Sequence, residues 1–155
     1  EGLLLKAANR SYLVRKVDLG EYLMSLRVRE VLEAEAAAQA AGRISPVAIA
    51  TARAAVLALE RLDPYDTHVH WACDDQVHNL FIDACGNAVM GGILRNLRIT
   101  TRLFEIAALA DRLGPDSREH LAILDALQSG DAESARSAMA AHARSLFDFA
   151  ISAFS

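Results

Sequence analysis

An all-α fold, an antiparallel bundle of about six helices preceded by a short β-hairpin, is what this 155-residue sequence predicts. Three observations lead there. The chain is 53% hydrophobic but only 6% aromatic, the composition of packed helices rather than of a β-sandwich. Apolar residues recur at three- and four-residue spacing over long stretches. Glycine and proline interrupt those stretches where helices would end. A chain of this length fits one domain with a core of useful size.

In chain order, Leu3-Leu4-Leu5-Lys6 and Ser11 to Val17 read as two short strands around Ala7-Ala8-Asn9-Arg10, where asparagine suits a turn of positive φ. Asp18 opens the first helix with Glu21 in a capping-box arrangement, and Gly42 closes it. Ser45-Pro46 supply the N-cap and first residue of a second helix reaching about Leu62. After a loop at Asp63-Pro64-Tyr65-Asp66, a third helix carries Trp71 to Cys85. Gly86-Asn87 ends it and caps a fourth through about Arg112. Gly114-Pro115 is expected to break the chain before a short fifth helix holding His120 to Gln128. Gly130-Asp131 ends that one and caps a sixth. The chain thus divides into a hairpin, residues 1–17, and a bundle, residues 18–155.

Formal net charge is −4, which makes no general case for nucleic acid or membrane surfaces as partners. Its distribution is uneven. Residues 1–17 hold Lys6, Arg10, Arg15 and Lys16 against Glu1, and both lysines of the chain are among them. A basic opening ahead of an acidic body suggests two different functional pieces. The sequence starts at Glu1-Gly2-Leu3 without methionine and reads as a fragment of something longer. No apolar run approaches a membrane span, and no signal peptide is visible. Cys73 and Cys85, twelve residues and so roughly 18 Å apart on one helix, cannot bond to each other there, which favours a reduced, cytoplasmic protein.

The chemistry concentrates at Cys73-Asp74-Asp75-Gln76-Val77-His78. Asp74 and His78, four apart, share one helix face with Trp71, Phe81, Ile82 and Cys85. A carboxylate aimed into apolar surroundings needs a compensating partner. His120 lies on a stripe with Ile123, Leu124 and Leu127, and His142 on one with Met139, Leu146 and Phe149. The expectation is that Asp74, His78, His120 and His142 converge on one divalent metal ion. Imidazole and carboxylate suit zinc, nickel, iron or manganese, and bundles often build metal sites from inward side chains on facing helices. The alternative is a set of core histidines bonded to backbone carbonyls.

Several segments together resemble a known family. Arg29-Glu30-Val31-Leu32-Glu33, Asp74-x-x-x-His78, Cys85-Gly86-Asn87, Glu119-His120-x-x-Ile123-x-x-Ala126-x-x-x-Gly130-Asp131 and Ala135-Arg136-x-x-Met139-x-x-His142 occur in the order of the FCD domain. That domain is the ligand-sensing module of the GntR superfamily of bacterial transcription regulators. The likeness covers roughly residues 18–153. The opening, through Asn9-Arg10-Ser11-Tyr12-Leu13-Val14, resembles the wing of that superfamily's winged helix-turn-helix domain. Val77 stands where the family usually has an aromatic, and Ser11-Tyr12 where its wing often has glycine and a small residue.

The resemblance implies a metal, zinc first, at the four positions, a small organic acid beside it, DNA as partner through a winged helix largely outside this chain, and a homodimer. Four protein ligands on an ion that accepts six leave two positions for a chelating carboxylate, and the ion's charge recognises an anion that an apolar cavity would exclude. Arginines are the natural second element, because their planar fork matches a carboxylate. Arg29 falls on the family's first-helix arginine, with a surface pair to Glu33 as its alternative. Arg98 and Arg102 are one turn apart, with a solvated face or dimer contact as theirs. His70, one turn before Asp74, completes the expected ligand-binding set, its alternative a cavity-lining role. His68 and Asp75 are expected to face solvent, and Trp71 to fill core. A helical metalloenzyme is the competing function, but no inward Glu, Tyr or Lys stands out as a general base.

Overall fold

The computed structural model describes the backbone of residues 4–6, 12–14, 18–105 and 109–154, and the side chains of 18–102 and 109–153. Among these residues are six helices: α1 (Leu19–Ala40), α2 (Pro46–Leu59), α3 (Thr67–Ala84), α4 (Ala88–Glu105), α5 (Leu109–Ser129) and α6 (Ala132–Phe154). Ahead of them β1 (Leu4–Lys6) pairs antiparallel with β2 (Tyr12–Val14), Leu5 opposite Leu13. The turn expected at 7–10 lies outside the described residues.

Short polar side chains start the helices by satisfying amides that have no partner within the helix. Asp18 Oδ1 accepts from the Glu21 amide at 2.8 Å. Ser45 Oγ accepts from Ala48 at 3.2 Å, and Asp66 Oδ1 from His68 at 2.7 Å and Val69 at 3.1 Å. Gly42 and Gly130 leave α1 and α5 at φ +74° and +75°, a region that side chains disfavour.

The fifth helix differs from expectation. The fourth, expected through Arg112, is described to Glu105, whereas Leu109 to Ser129 form α5, which runs through the Gly114-Pro115 expected to break the chain. Proline inside a helix removes one hydrogen bond. Arg112 compensates by bridging that point: its guanidinium donates to Asp116 Oδ1 at 2.6 and 2.9 Å and to Glu119 Oε2 at 2.7 Å. Charge-assisted bonds of this kind are stronger than the amide bond that is lost.

Cross-helix pairs set the helix directions. Arg144 binds Glu30 at 2.8 Å, Arg136 pairs with Glu35, and Arg27 lies 3.9 Å over the Phe147 ring, so α1 and α6 run antiparallel along their lengths. Arg95 to Asp83 at 2.8 Å makes α3 and α4 antiparallel when set beside Arg98 to Asp74. Contacts of His70 with Asp116 and of Asp74 with His120, each 3.5 Å, make α3 and α5 parallel. Ala36, Ala37, Ala40 and Ala52 are fully buried, and their methyl side chains allow close helix approach around Phe81, Ile123, Leu124 and Met139. Among the described residues, no helix is long and apolar enough to cross a membrane.

Candidate metal centre

Three helices bring the expected set together. One donor atom from each of Asp74, His78, His120 and His142 lies within 4.8 Å of the others. The three imidazole centroids stand 4.9 to 5.4 Å apart. Asp74 Oδ1 is 3.5 Å from Nε2 of both His78 and His120. Donors about 2.0–2.1 Å from a four-coordinate zinc sit roughly 3.4 Å from one another, so these spacings fit such an ion.

The arrangement leaves lone pairs facing lone pairs. His142 Nδ1 is 2.7 Å from Glu119 Oε2. Burial disfavours the Glu119 charge, but its bonds with His142 and Ser145 and the nearby Arg112 hold its carboxyl below the usual range. An ionised carboxylate can only accept, so the proton sits on Nδ1 and Nε2 presents a lone pair. Glu33 Oε2 lies 3.2 Å from His78 Nδ1, a charge contact without hydrogen-bond geometry, and His78 Nε2 faces the Asp74 oxygen. Nε2 of all three histidines is buried without a hydrogen-bond partner. Carboxylates behind metal-bound imidazoles fix tautomer and orientation. Glu119→Gln is expected to weaken zinc binding about 10- to 100-fold, measurable by competition with a chromogenic chelator.

Asp74 stays ionised. Burial opposes its charge, but the Arg98 guanidinium and the neighbouring imidazoles hold its carboxyl well below the usual range. Arg98 donates from Nη2 to Asp74 Oδ2 at 2.5 Å and to Asp75 Oδ1 at 3.2 Å. Arg98, expected to bind the ligand with a solvated or dimer face as the alternative, is 5% exposed and pairs with Asp74. Its Nη1, 3.5 Å from Glu33 Oε1, is buried without a hydrogen bond.

Glu33 is the residue that sequence reasoning undervalued. It is fully buried, not the surface partner weighed as the alternative for Arg29, and it is inward although no inward Glu stood out. Arg29, 2% exposed, donates to it from Nε at 3.2 Å and Nη2 at 3.4 Å, and to Thr101 from Nη1 at 3.2 Å. Burial works against its charge, yet Arg29, His78 and Arg98 keep it far below the usual range. Only the i, i+4 spacing with Arg29 pointed to it.

The remaining expected residues flank the centre. His70 is buried, its Nδ1 2.9 Å from the Tyr65 hydroxyl and Nε2 3.5 Å from Asp116 Oδ2. Arg102 is half-buried, pairs with Asp75 and lies 5.4 Å over the half-buried Trp71. Asp75 is therefore paired rather than free at the surface, and His68 is exposed. A second group, Asp116, Glu119 and His142, also clusters, but Arg112 already supplies its positive charge.

In metal-free protein these shifts share one sign. Burial first, then Arg98, pushes His78 from the ordinary 6.5 down to about 3, and burial lowers His142 as well. As pH drops below about 6.5 the unfolded histidines take up protons that the folded state refuses, and stability declines. Glu33 and Asp74 add to the loss below about pH 4, where the unfolded carboxylates protonate first. The melting temperature of chelator-treated protein is expected to fall continuously from pH 7 to pH 4, as read by scanning calorimetry.

Fold and site together define an all-helical domain with a candidate metal centre among its inward-facing side chains. The FCD domain model matches residues 25–145, and the chain belongs to that family. In fold it is similar to Streptococcus agalactiae GntR, with a TM-score of 0.57 and 17% identity over 94% of this chain and 74% of that one. None of the curated proteins matches.

Proposed function

We propose that this chain is the effector-sensing and dimerisation domain of a DNA-binding regulator, holding a divalent metal through Asp74, His78, His120 and His142 and a small carboxylate beside it. The observation that carries the reading is the meeting of three buried, unpartnered Nε2 atoms with an ionised carboxylate. A cation resolves that conflict, and zinc, nickel, iron or manganese suits the donor set. When bound, the ion supplies a positive charge and open positions for an anion. Arg98 Nη1, 3.5 Å from Glu33 and without a hydrogen bond, is a buried donor for the same carboxylate, while Arg29 acts through Glu33. Arg102 and His70 stand at the rim of the site.

Residues 1–17 are read as the end of a winged-helix wing, and two chains as a pair whose DNA-binding parts respond to the effector. No catalytic step is assigned. Glu33, the fully buried carboxylate beside His78, is held too acidic to serve as a general base near neutral pH.

A thermal-shift panel tests the reading. Zinc-loaded protein with a carboxylic acid at about 100 times its Kd gains about 2.7 kcal/mol, or roughly 5–10 °C for a domain of this size. Amines and sugars lacking a carboxylate are expected to shift nothing, and a chelator to abolish the response. Equal shifts with and without metal would refute the site.

A further inference from the structure

Resting on the metal reading above, we propose that Asp75, Arg102 and Trp71 form a gate between α3 and α4, and that the ion enters and leaves the centre when this gate parts. Of the four side chains that would hold the ion, the three imidazoles are at most 3% exposed, whereas Asp74 is 23% exposed. Glu119 also reaches solvent, but it lies behind the His142 ring, at Nδ1. The approach to the centre therefore runs past Asp74, along the seam where α3 faces α4.

That seam is held in two different ways along its length. Helix α4 turns Met90, Leu94, Arg98 and Thr101 inward, all of them buried and spaced along one helix face. Met90 and Leu94 belong to the same apolar core as Phe81 and Ile82 of α3. From Arg98 to Arg102 the inward contacts are polar instead. Arg98 binds Asp74 and Asp75, Arg29 donates to Thr101, and Arg102 pairs with Asp75 while lying over the Trp71 ring. Arg98 and Thr101 are buried, but Asp75, Arg102 and Trp71 are half-buried and make the outer edge of the seam. Ion pairs that water can reach contribute little, and a segment held by them opens locally at small cost. Parting this edge leaves Arg98 with Asp74 and Glu33, so no buried charge loses its partner.

The test follows zinc uptake and release by stopped flow against a chromogenic chelator, in wild type, Asp75→Asn, Arg102→Ala and the double variant. Charge alone predicts opposite effects in the two single variants. Losing the carboxylate slows uptake of a cation, losing the guanidinium slows its release, and in the double variant the two effects cancel. A gate predicts that the double variant quickens uptake and release together, by about three- to tenfold, the worth of one part-exposed ion pair and one cation–π contact. Circular dichroism checks the fold. If the double variant misfolds, uptake by Asp75→Asn and release from Arg102→Ala decide instead, because charge alone slows both and a gate speeds both. In whichever arm decides, a rate at or below that of wild type overturns this inference alone. Wild-type protein that takes up no zinc overturns the metal reading and the gate with it.

Discussion

Replacing His120 with alanine should lower zinc affinity by at least about a hundredfold, since loss of an outer partner of a metal-bound imidazole already costs 10- to 100-fold. Protein purified without chelator should then carry far less than one metal per chain by elemental analysis. His120 brings only its Nε2 to the cluster, 3.5 Å from Asp74 Oδ1, and that atom has no hydrogen-bond partner of its own. Asp74 keeps its Arg98 partner when alanine replaces the imidazole, so the metal-free fold should survive at some cost from the cavity left behind, and circular dichroism should confirm it. The melting temperature of the variant should also stop responding to added zinc. Unchanged metal content in His120→Ala would sink the metal assignment directly.

Glu33→Ala should be the most destabilising single change in the chain among those described, by about 3–5 kcal/mol, the range for leaving a buried charge without its partner. For a domain of this size that amounts to a drop of roughly 10 °C in melting temperature. The reason lies in what Glu33 faces: Arg29, Arg98 and His78, all buried. Removing the one carboxylate leaves two guanidinium groups competing for Asp74 and Thr101. The double variant Arg29→Met, Glu33→Leu should be milder than Glu33→Ala, because it removes a charge of each sign while Arg98 keeps Asp74. A loss below about 1 kcal/mol in Glu33→Ala, the range of an exposed pair, would mean that Glu33 is solvated. Zinc binding to Glu33→Ala is a separate readout. A weaker metal with an intact fold would report the contact with His78 Nδ1 rather than the ion pairs.

Much of this was legible along the chain, for reasons that are local. Helix starts at Asp18 and Ser45 depend on a side chain reaching an amide three residues away, and the ends at Gly42 and Gly130 depend on one backbone angle; the cap at Asp66, by contrast, is not distinguished in sequence from the loop that holds it. The inward placement of Asp74, His78, His120 and His142 follows from spacing alone, because a helical stripe carries its polar members wherever its apolar ones go. What proved misleading was also local. Gly114-Pro115 is a strong breaker taken by itself, yet α5 runs through it, with Arg112 bonded to side chains four and seven residues on.

By itself, then, the sequence determined that the chain is helical, where most helices begin and end, and which imidazoles look inward. Only the tertiary structure decided which charges meet. Arg98 and Asp74 are 24 residues apart, and Arg29 and Thr101 are 72 apart. Whether such a residue is solvated or buried depends on the helix that covers it, which periodicity cannot specify. Electrostatic interaction grows steeply as water is excluded, so the same glutamate that reads as a surface pair on an isolated helix becomes the counter-charge of the whole centre once α3 and α4 close over it.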